Sequence, residues 1–437
     1  MDTVTIDSDS AGESIRKEAT LYRSPSMRWP EWFRTEQNEA WENFKSLANP
    51  TRQNQNWRYS NLSINENTDA CNASAPLNPD ALIHRSRSLV DDTYKLVFAN
   101  DELLTRLPAD LPEGVILKTL PAAATENEDL FRRYFMSKPV ALGSEKAAAL
   151  HRSQVNGGLF LYIPKNVVIE KPIEVFHWVT GENSAVFPHT LIVCEENSEV
   201  TFIDRFQSGD ALSAFAYAVN DLHVAQSAKL HYTSVQEWSK ETKAFHLNAT
   251  SLEKNASCTA LNVHLGAHLV RAENHSYMTG EGAHSVMLSM SPLSGTREVD
   301  QRTLQEHAAP NATSDLLYHN ALSDKSRSTF SGLLKVADGA HKTDAYQKVR
   351  NLLLSDEAEA NSMPGLEILA DDVRCSHGAT SAQLNSDELF YMQARGIPSD
   401  QACRLILFGF FNEMLERFGR EDIREAVCNL LKVQYEL

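Results

Sequence analysis

From Gly157 onward, hydrophobic and polar positions alternate in short runs: LFLYIP, VVIEKPIEVF, TLIVC, VTFIDRF, LHVAQ, KLHYTSV, HLNATSL and TALNVHL. Their length and β-branched content predict strands. Between them recurs a polar turn with a small second residue: Asn197-Ser198, Ser227-Ala228, Asn255-Ala256, Gly282-Ala283, Asn311-Ala312, Lys325-Ser326, Gly339-Ala340 and Glu357-Ala358. The second residues are separated by 30, 28, 27, 29, 14, 14 and 18 positions, the gaps near 14 being half of those near 28. A spacing of this kind is what stacked coils leave in a sequence. The expected fold is therefore mainly β: a right-handed parallel β-helix over residues 156–375, its inward apolar positions stacking from coil to coil.

The flanks have another period. Residues 1–20 lack a sustained apolar pattern and are expected to be a disordered lead. Residues 21–155 read as an N-terminal helical or α/β domain. In it Trp32, Phe33, Ala40, Trp41, Phe44 and Leu47 mark an amphipathic helix ending before Pro50. For Trp57, Arg58 and Tyr59 packing is the expectation, with an exposed recognition patch as the alternative. Residues 376–437 read as a C-terminal helical domain. One helix starts at Ser399 and stops near Gly419; another covers Asp422 to Val433. The first carries two apolar rows, Cys403/Leu407/Phe410/Met414 and Phe408/Phe411/Leu415/Phe418. A helix capping a solenoid needs one apolar face, so the second row is expected to serve as a partner-binding surface. The alternative buries both rows inside the chain's own core.

Charge and motif content narrow the function. With Lys+Arg 41 against Asp+Glu 58 the chain carries −17, which repels nucleic acid and anionic membranes. Apolar runs fall short of a spanning helix and the start is acidic and polar, so a cytoplasmic location is expected. Six cysteines are scattered without a C-x-x-C pair, arguing against a disulfide framework or an autonomous zinc site. There is no G-x-x-x-x-G-K-[ST], so any ATP use belongs to a partner, and neither H-E-x-x-H nor G-x-S-x-G is present. A non-enzyme is expected. Among β-helix proteins a carbohydrate-active one is the rival reading, but carboxylates do not repeat from coil to coil; a purely structural interaction scaffold is a third. His223, His231, His246, His264, His268, His275 and His284 are read as surface or turn positions, since His264 and His268 on a strand lie about 13 Å apart, too far for one ion. His307 is read as structural rather than as part of a site.

The chemistry concentrates between Ser355 and Ile397. Leu366 to Val373 cluster as a buried strand does, and Cys375 and His377, two apart, share a face and offer a thiolate and an imidazole together. Gly378 permits a turn, and Asn385 or Ser386 begins a helix with Glu388 in a capping-box spacing. This stretch resembles the SufB/SufD family of iron-sulfur cluster assembly proteins. The resemblance rests on Pro364, Leu366 to Ile368, Asp371 to Val373, Cys375 to Thr380, Phe390, Tyr391 and Arg395 to Ile397. It extends to Trp57-Arg58-Tyr59, to Asn156-Gly157-Gly158 through Pro164 and Pro172, and to Phe330 to Leu354. Ser376-His377-Gly378-Ala379, in place of a His-Glu-Ala, favours the SufD branch. The resemblance implies a scaffold subunit that pairs with a SufB-like subunit and a SufC-like ABC-type ATPase, with a homodimer when isolated. It implies a transient iron-sulfur cluster shared across the subunit interface, held here by His377 and, ranked below it, Cys375. Stable clusters take four ligands, mostly thiolates, which one chain of this composition does not gather.

Overall fold

The computed structural model describes residues 26–64, 71–72 and 78–435; the lead expected at 1–20 lies outside them. Four short strands come first: β1 (Cys71–Asn72), β2 (Tyr94–Ala99), β3 (Glu102–Leu103) and β4 (Ile116–Thr119). Then two walls alternate along the chain. The first holds β5 (Leu159–Ile163), β7 (Ser184–Val186), β8 (His189–Cys194), β10 (Ala214–Val224), β12 (Lys243–Leu252), β14 (Leu269–Met278), β16 (Glu298–His307), β18 (Arg327–Val336) and β20 (Glu359–Ile368). The second holds β6 (Val168–Val179), β9 (Glu199–Ser208), β11 (Lys229–Glu237), β13 (Ser257–His264), β15 (His284–Leu293), β17 (Thr313–Leu322), β19 (Asp344–Leu353) and β21 (Arg374–Gln383). Strands of successive coils within a wall pair in parallel, β7 and β8 both pairing with β10, which gives a β-solenoid of about eight coils.

The repeating turn is the device that sets the coil. Asn197, Ser227, Asn255, Gly282 and Asn311 all adopt left-handed φ between 54° and 70°, a conformation that asparagine and glycine accept most readily. Each donates its backbone N–H to the turn one coil on, Asn197 to Gln226 O at 3.0 Å and Asn255 to Glu281 O at 2.9 Å. The small residue that follows, Ser198, Ala228, Ala256, Ala283 or Ala312, is buried under the corner. These turns form one corner, and Ala340 continues it. Ser326 and Ala358 sit at the opposite corner, which is why half-length gaps appear late in the series.

Both outer faces are covered, so wall strands such as β14 are buried at every position. Eight α-helices lie among the described residues. Those of the N-terminal part are α1 (Glu31–Ser46), α2 (Pro79–Arg85), α3 (Leu120–Glu126), α4 (Glu128–Tyr134) and α5 (Glu145–Gln154); the C-terminal ones are α6 (Ser386–Gln393), α7 (Ser399–Leu415) and α8 (Glu421–Tyr435). The N-terminal part packs Phe44, Trp57 and Leu150 onto Phe187, Tyr217, Phe245 and Leu247 of the first wall's outer side. Arg271 fastens that contact: it donates to Asn56 O at 3.0 Å and to Asp300 at 2.7 Å and lies 3.9 Å from the Trp57 ring centroid. Trp57 is thus a packing residue, its indole N–H given to Gly143 O at 2.7 Å.

The C-terminal helices pack on the second wall, where Leu261, Leu288 and Leu317 meet Leu407, Phe411, Met414, Leu415 and Phe418. This corrects the expected docking row. Phe411 and Leu415 are 0% exposed and Phe418 1%, because α8 covers them with Ile423, Val427 and Leu431; Phe408 is half-buried against the same cluster. The domain boundary expected at 375/376 also moves, since β21 runs on through Gly378 to Gln383 and the first C-terminal helix starts at Ser386 with Asn385 as its cap. Among the described residues no helix is long and apolar enough to cross a membrane.

The histidines expected at the surface are largely inside, with His246, His264, His223 and His275 buried. Burial holds the imidazole of His246 down to about 3 and those of His264, His307 and His319 to about 4. These groups stay neutral in the folded chain while the unfolded chain takes up protons below about 6.5. Folding stability should therefore fall as pH drops from about 6.5 towards 4, by about 1.4 kcal/mol per pH unit for each such histidine. Denaturant melts across that range check it: His264→Gln should flatten the slope, and an unchanged slope would count against it. Phe411→Glu should cost about 3 kcal/mol or more by placing a carboxylate in the core, read as a lowered melting temperature.

Candidate functional site

The two residues singled out by chemistry lie on β21, the last strand of the second wall. Ladder register decides which way they point. The row Val200, Leu230, Cys258, Ser285, Ser314, Ala345 ends in Cys375, and the row Phe202, Tyr232, Ala260, Met287, Leu316, Gln347 ends in His377. Tyr232 and Asn262 in these and neighbouring rows hydrogen-bond across the interior to Asn220 and Asn274 of the other wall. Cys375 and His377 therefore face inward, on a coil that has no further coil above it.

That last coil is open. β20 pairs only with β18 and β21 only with β19 among the described residues, so each leaves a ten-residue edge free. The side chains show the same thing: β20 and β21 have no fully buried position, and Leu366 and Ile368, in inward rows, are 38% and 39% exposed. Tyr346 and Leu369 add exposed apolar surface beside them. His377 is exposed at the mouth. On the outward side of the same strand, Ser376, Gly378 and Thr380 line a cavity of about 520 Å³ with Asp315, Tyr346, Lys348 and Arg417, to which Gln347 and His377 also contribute.

Cys375 sits lower, half-buried against Leu334, Val336, Ala340, Ala345 and Val373. Burial, and then the Asp344 carboxylate, push its thiol above the ordinary value. A thiol whose ionisation is opposed is a poorer metal ligand than one that ionises freely, whereas the His377 ring is within reach of solvent. Exposure favours His377 as the donor, and the raised thiol disfavours Cys375. Among the described residues no three His, Cys, Asp or Glu side chains come together as a metal-binding group. The donors present fit a part of a ligand set, one exposed imidazole with a thiol about 7 Å along the strand, rather than a closed site. The other cysteines do not join them: Cys194 and Cys258 are buried inside the solenoid, and burial raises both thiols, Cys258 to about 12.

Sequence reasoning missed the residues that brace the mouth. Asn351 donates through Nδ2 to Ser362 Oγ of β20 and to Ser381 Oγ of β21, each at 3.2 Å, and accepts from Asn320 at 3.0 Å. One amide thus ties both strands of the open coil to the coil beneath. The signal was the coil-length spacing of Asn320 and Asn351, visible only once register is known. His307, weighed for a site, bonds Ser314 Oγ at 2.8 Å in the interior and does not reach the mouth region.

Comparison with known proteins places these features. A family model described as SUF system FeS cluster assembly, SufBD core domain, matches residues 177–410, and one for the SufBD protein N-terminal region matches 26–175. The chain is 26% identical to the iron-sulfur cluster assembly protein SufD of Bacillus subtilis (strain 168), over 96% of this chain and 98% of that one. It is 26% identical to SufB of the same organism over 74% of this chain and 70% of that protein. An iron-sulfur cluster assembly SufBD family protein of Staphylococcus epidermidis (strain ATCC 12228 / FDA PCI 1200) is 27% identical over the same shares.

Asn351→Leu should remove the brace at a cost of about 1–3 kcal/mol. Hydrogen exchange should then quicken across Glu359–Ile368 and Arg374–Gln383 while Leu269–Met278 keeps its protection. Uniform loosening would mean the amide does not act locally.

Proposed function

The chain belongs to the SufB/SufD family of iron-sulfur cluster assembly proteins, and from that premise we propose that it is a SufD-like scaffold subunit whose open last coil is completed by a SufB-like chain. The observation that carries this is the pair of free strand edges beside exposed inward-facing Leu366, Ile368 and His377. A chain of similar fold can add its own last coil there, pairing backbone edges and covering the apolar mouth. His377 then lies in the seam.

In this reading the iron-sulfur cluster is cargo. His377 supplies a neutral nitrogen from one side and the partner supplies thiolate from the other, with Cys375 subordinate because its thiol is held protonated. Sharing the ligands answers the shortage within one chain. The ABC-type ATPase docks on the C-terminal helices, by side chains other than the row first expected. Phe390 and Tyr391 of α6 are 72% and 58% exposed and Leu405 of α7 is 39% exposed, whereas Phe411, Leu415 and Phe418 are committed to the core. Arg395 stacks on Tyr391 with its guanidinium 3.7 Å from the ring centroid, which holds that aromatic on the surface.

Anaerobic isolation of the tagged full chain from its own cells tests the reading. A SufB-like chain and an ATPase should co-purify with iron and acid-labile sulfide. His377→Ala should keep both proteins and lose iron and sulfide by about tenfold or more, a ligand's share of affinity, while Cys375→Ala does less. Ile368→Asp should instead release the SufB-like chain. Full cluster content in the His377→Ala complex would overturn the site.

A further inference from the structure

A second residue of this chain is placed to govern His377 without touching the cargo. Gln347 is the ladder neighbour of His377 on β19, in the same inward row. Its amino end is turned towards the coils beneath. Nε2 points to Thr303 Oγ1 and Gln305 Oε1, at 3.5 Å each. The space it fills is made by Gly332 on the facing wall, where a Cβ would fall 2.1 Å from Gln347 Nε2 and 2.7 Å from Thr303 Oγ1. With the amino end so committed, the carbonyl end is the free one. Gln347 Oε1 is buried and has no hydrogen-bond partner, an arrangement that costs free energy unless a donor arrives. The His377 ring, one strand spacing of about 4.8 Å away, has no hydrogen bond among the described residues.

We propose that Gln347 is a positioning residue for His377: its Oε1 accepts the Nδ1–H of the imidazole and leaves Nε2 as the lone-pair nitrogen turned to the mouth. The choice of nitrogen follows from reach. Nδ1 lies nearer the backbone, at the depth of the neighbouring Gln347 side chain in the same row, whereas Nε2 is the distal atom that a ligand shared with a partner requires. A histidine that binds metal through one nitrogen commonly has the other held by a hydrogen bond, which fixes both tautomer and ring direction. The proposal deepens the scaffold reading and rests on it for the importance of His377. It does not rest on it for the hydrogen bond, which belongs to the isolated chain.

The test is therefore made on the metal-free full chain. Histidine labelled with ¹⁵N in the imidazole, with His377→Gln used to identify the signal, should show His377 as the Nδ1–H tautomer. Gln347→Leu should move the signal to the Nε2–H form or to an averaged mixture. Gly332→Ala, which displaces the amide without altering either partner, should move it the same way. An Nε2–H or averaged signal in the unaltered chain overturns the proposal whether or not the variants fold, as does a signal that neither variant shifts. An Nε2–H or averaged signal in an unaltered chain that assembles clusters normally would sink this inference and leave the scaffold reading standing; the Nδ1–H form in a chain whose His377→Ala variant still loads clusters would do the reverse.

Discussion

A parallel solenoid cannot close on itself. Each coil satisfies its backbone ladder and covers its inward side chains only by having a coil on either side, so the stack must be stopped at both ends by something else. At the N-terminal end the chain does this with its own residues: β2 and β4 add to the two walls, β2 in parallel with β6 and β4 antiparallel to β5. At the C-terminal end it does not. α7 and α8 turn aside onto the second wall's outer face, leaving β20 and β21 uncovered. The helices that could have capped the mouth are used instead to bury a side. Everything distinctive about the site, the free edges, the exposed apolar rows and the accessible imidazole, follows from that one choice.

The interior behind the mouth is polar to an extent that a stacked apolar core does not need. Asp204, Tyr232, Asn220, Asn248, Asn262 and Asn274 form one hydrogen-bonded array across the two walls, with Tyr232 giving its O–H to Asp204 at 2.9 Å and Asn248 bridging Asn220, Asn262 and Asn274. Amides suit a ladder because each carries donor and acceptor, so identical residues on successive coils satisfy one another. Such an array fixes register. A one-residue slip of any strand would turn its amides outward and strand their partners in an apolar wall. The corner turns act on the same quantity from outside, setting where each strand starts.

The coil repeat was legible because it is written twice, in the left-handed turn residue and in the small residue after it. Handing Ser326 and Ala358 to a second corner needed the structure, since both corners use the same residue types. The histidines were misplaced for a related reason. Alternation tells which residues share a face, but in a solenoid covered on both sides neither face is solvent, so polarity no longer marks the exterior. His264 is the clear case, fully buried with both ring nitrogens unpartnered. The C-terminal rows failed differently: two apolar rows on one helix meant a second helix to cover them, α8, whose own Ile423, Val427 and Leu430 were already visible. At the mouth, Cys375 and His377 could be read from spacing, but Gln347 and Asn351 could not. They act one coil away, about 30 residues back in sequence, and only ladder register brings them to the site.

Splitting a ligand set across a seam has a thermodynamic consequence under the proposed reading. A chain that offers one exposed imidazole and one protonated thiol holds iron weakly by itself, so affinity for the cargo is conditional on pairing. The coupling is reciprocal: cargo that binds only the pair stabilises the pair by the same free energy. If ligands alone joined the subunits, releasing a cluster would then release the partner. The mouth avoids this by carrying a second, metal-independent source of adhesion, the apolar Leu366, Ile368 and Leu369 and two backbone edges ready to pair. Under that reading, a partner seated there would keep this surface buried whether or not His377 holds cargo, so that a scaffold of this design could load and discharge without coming apart, which a site closed within one chain would not need.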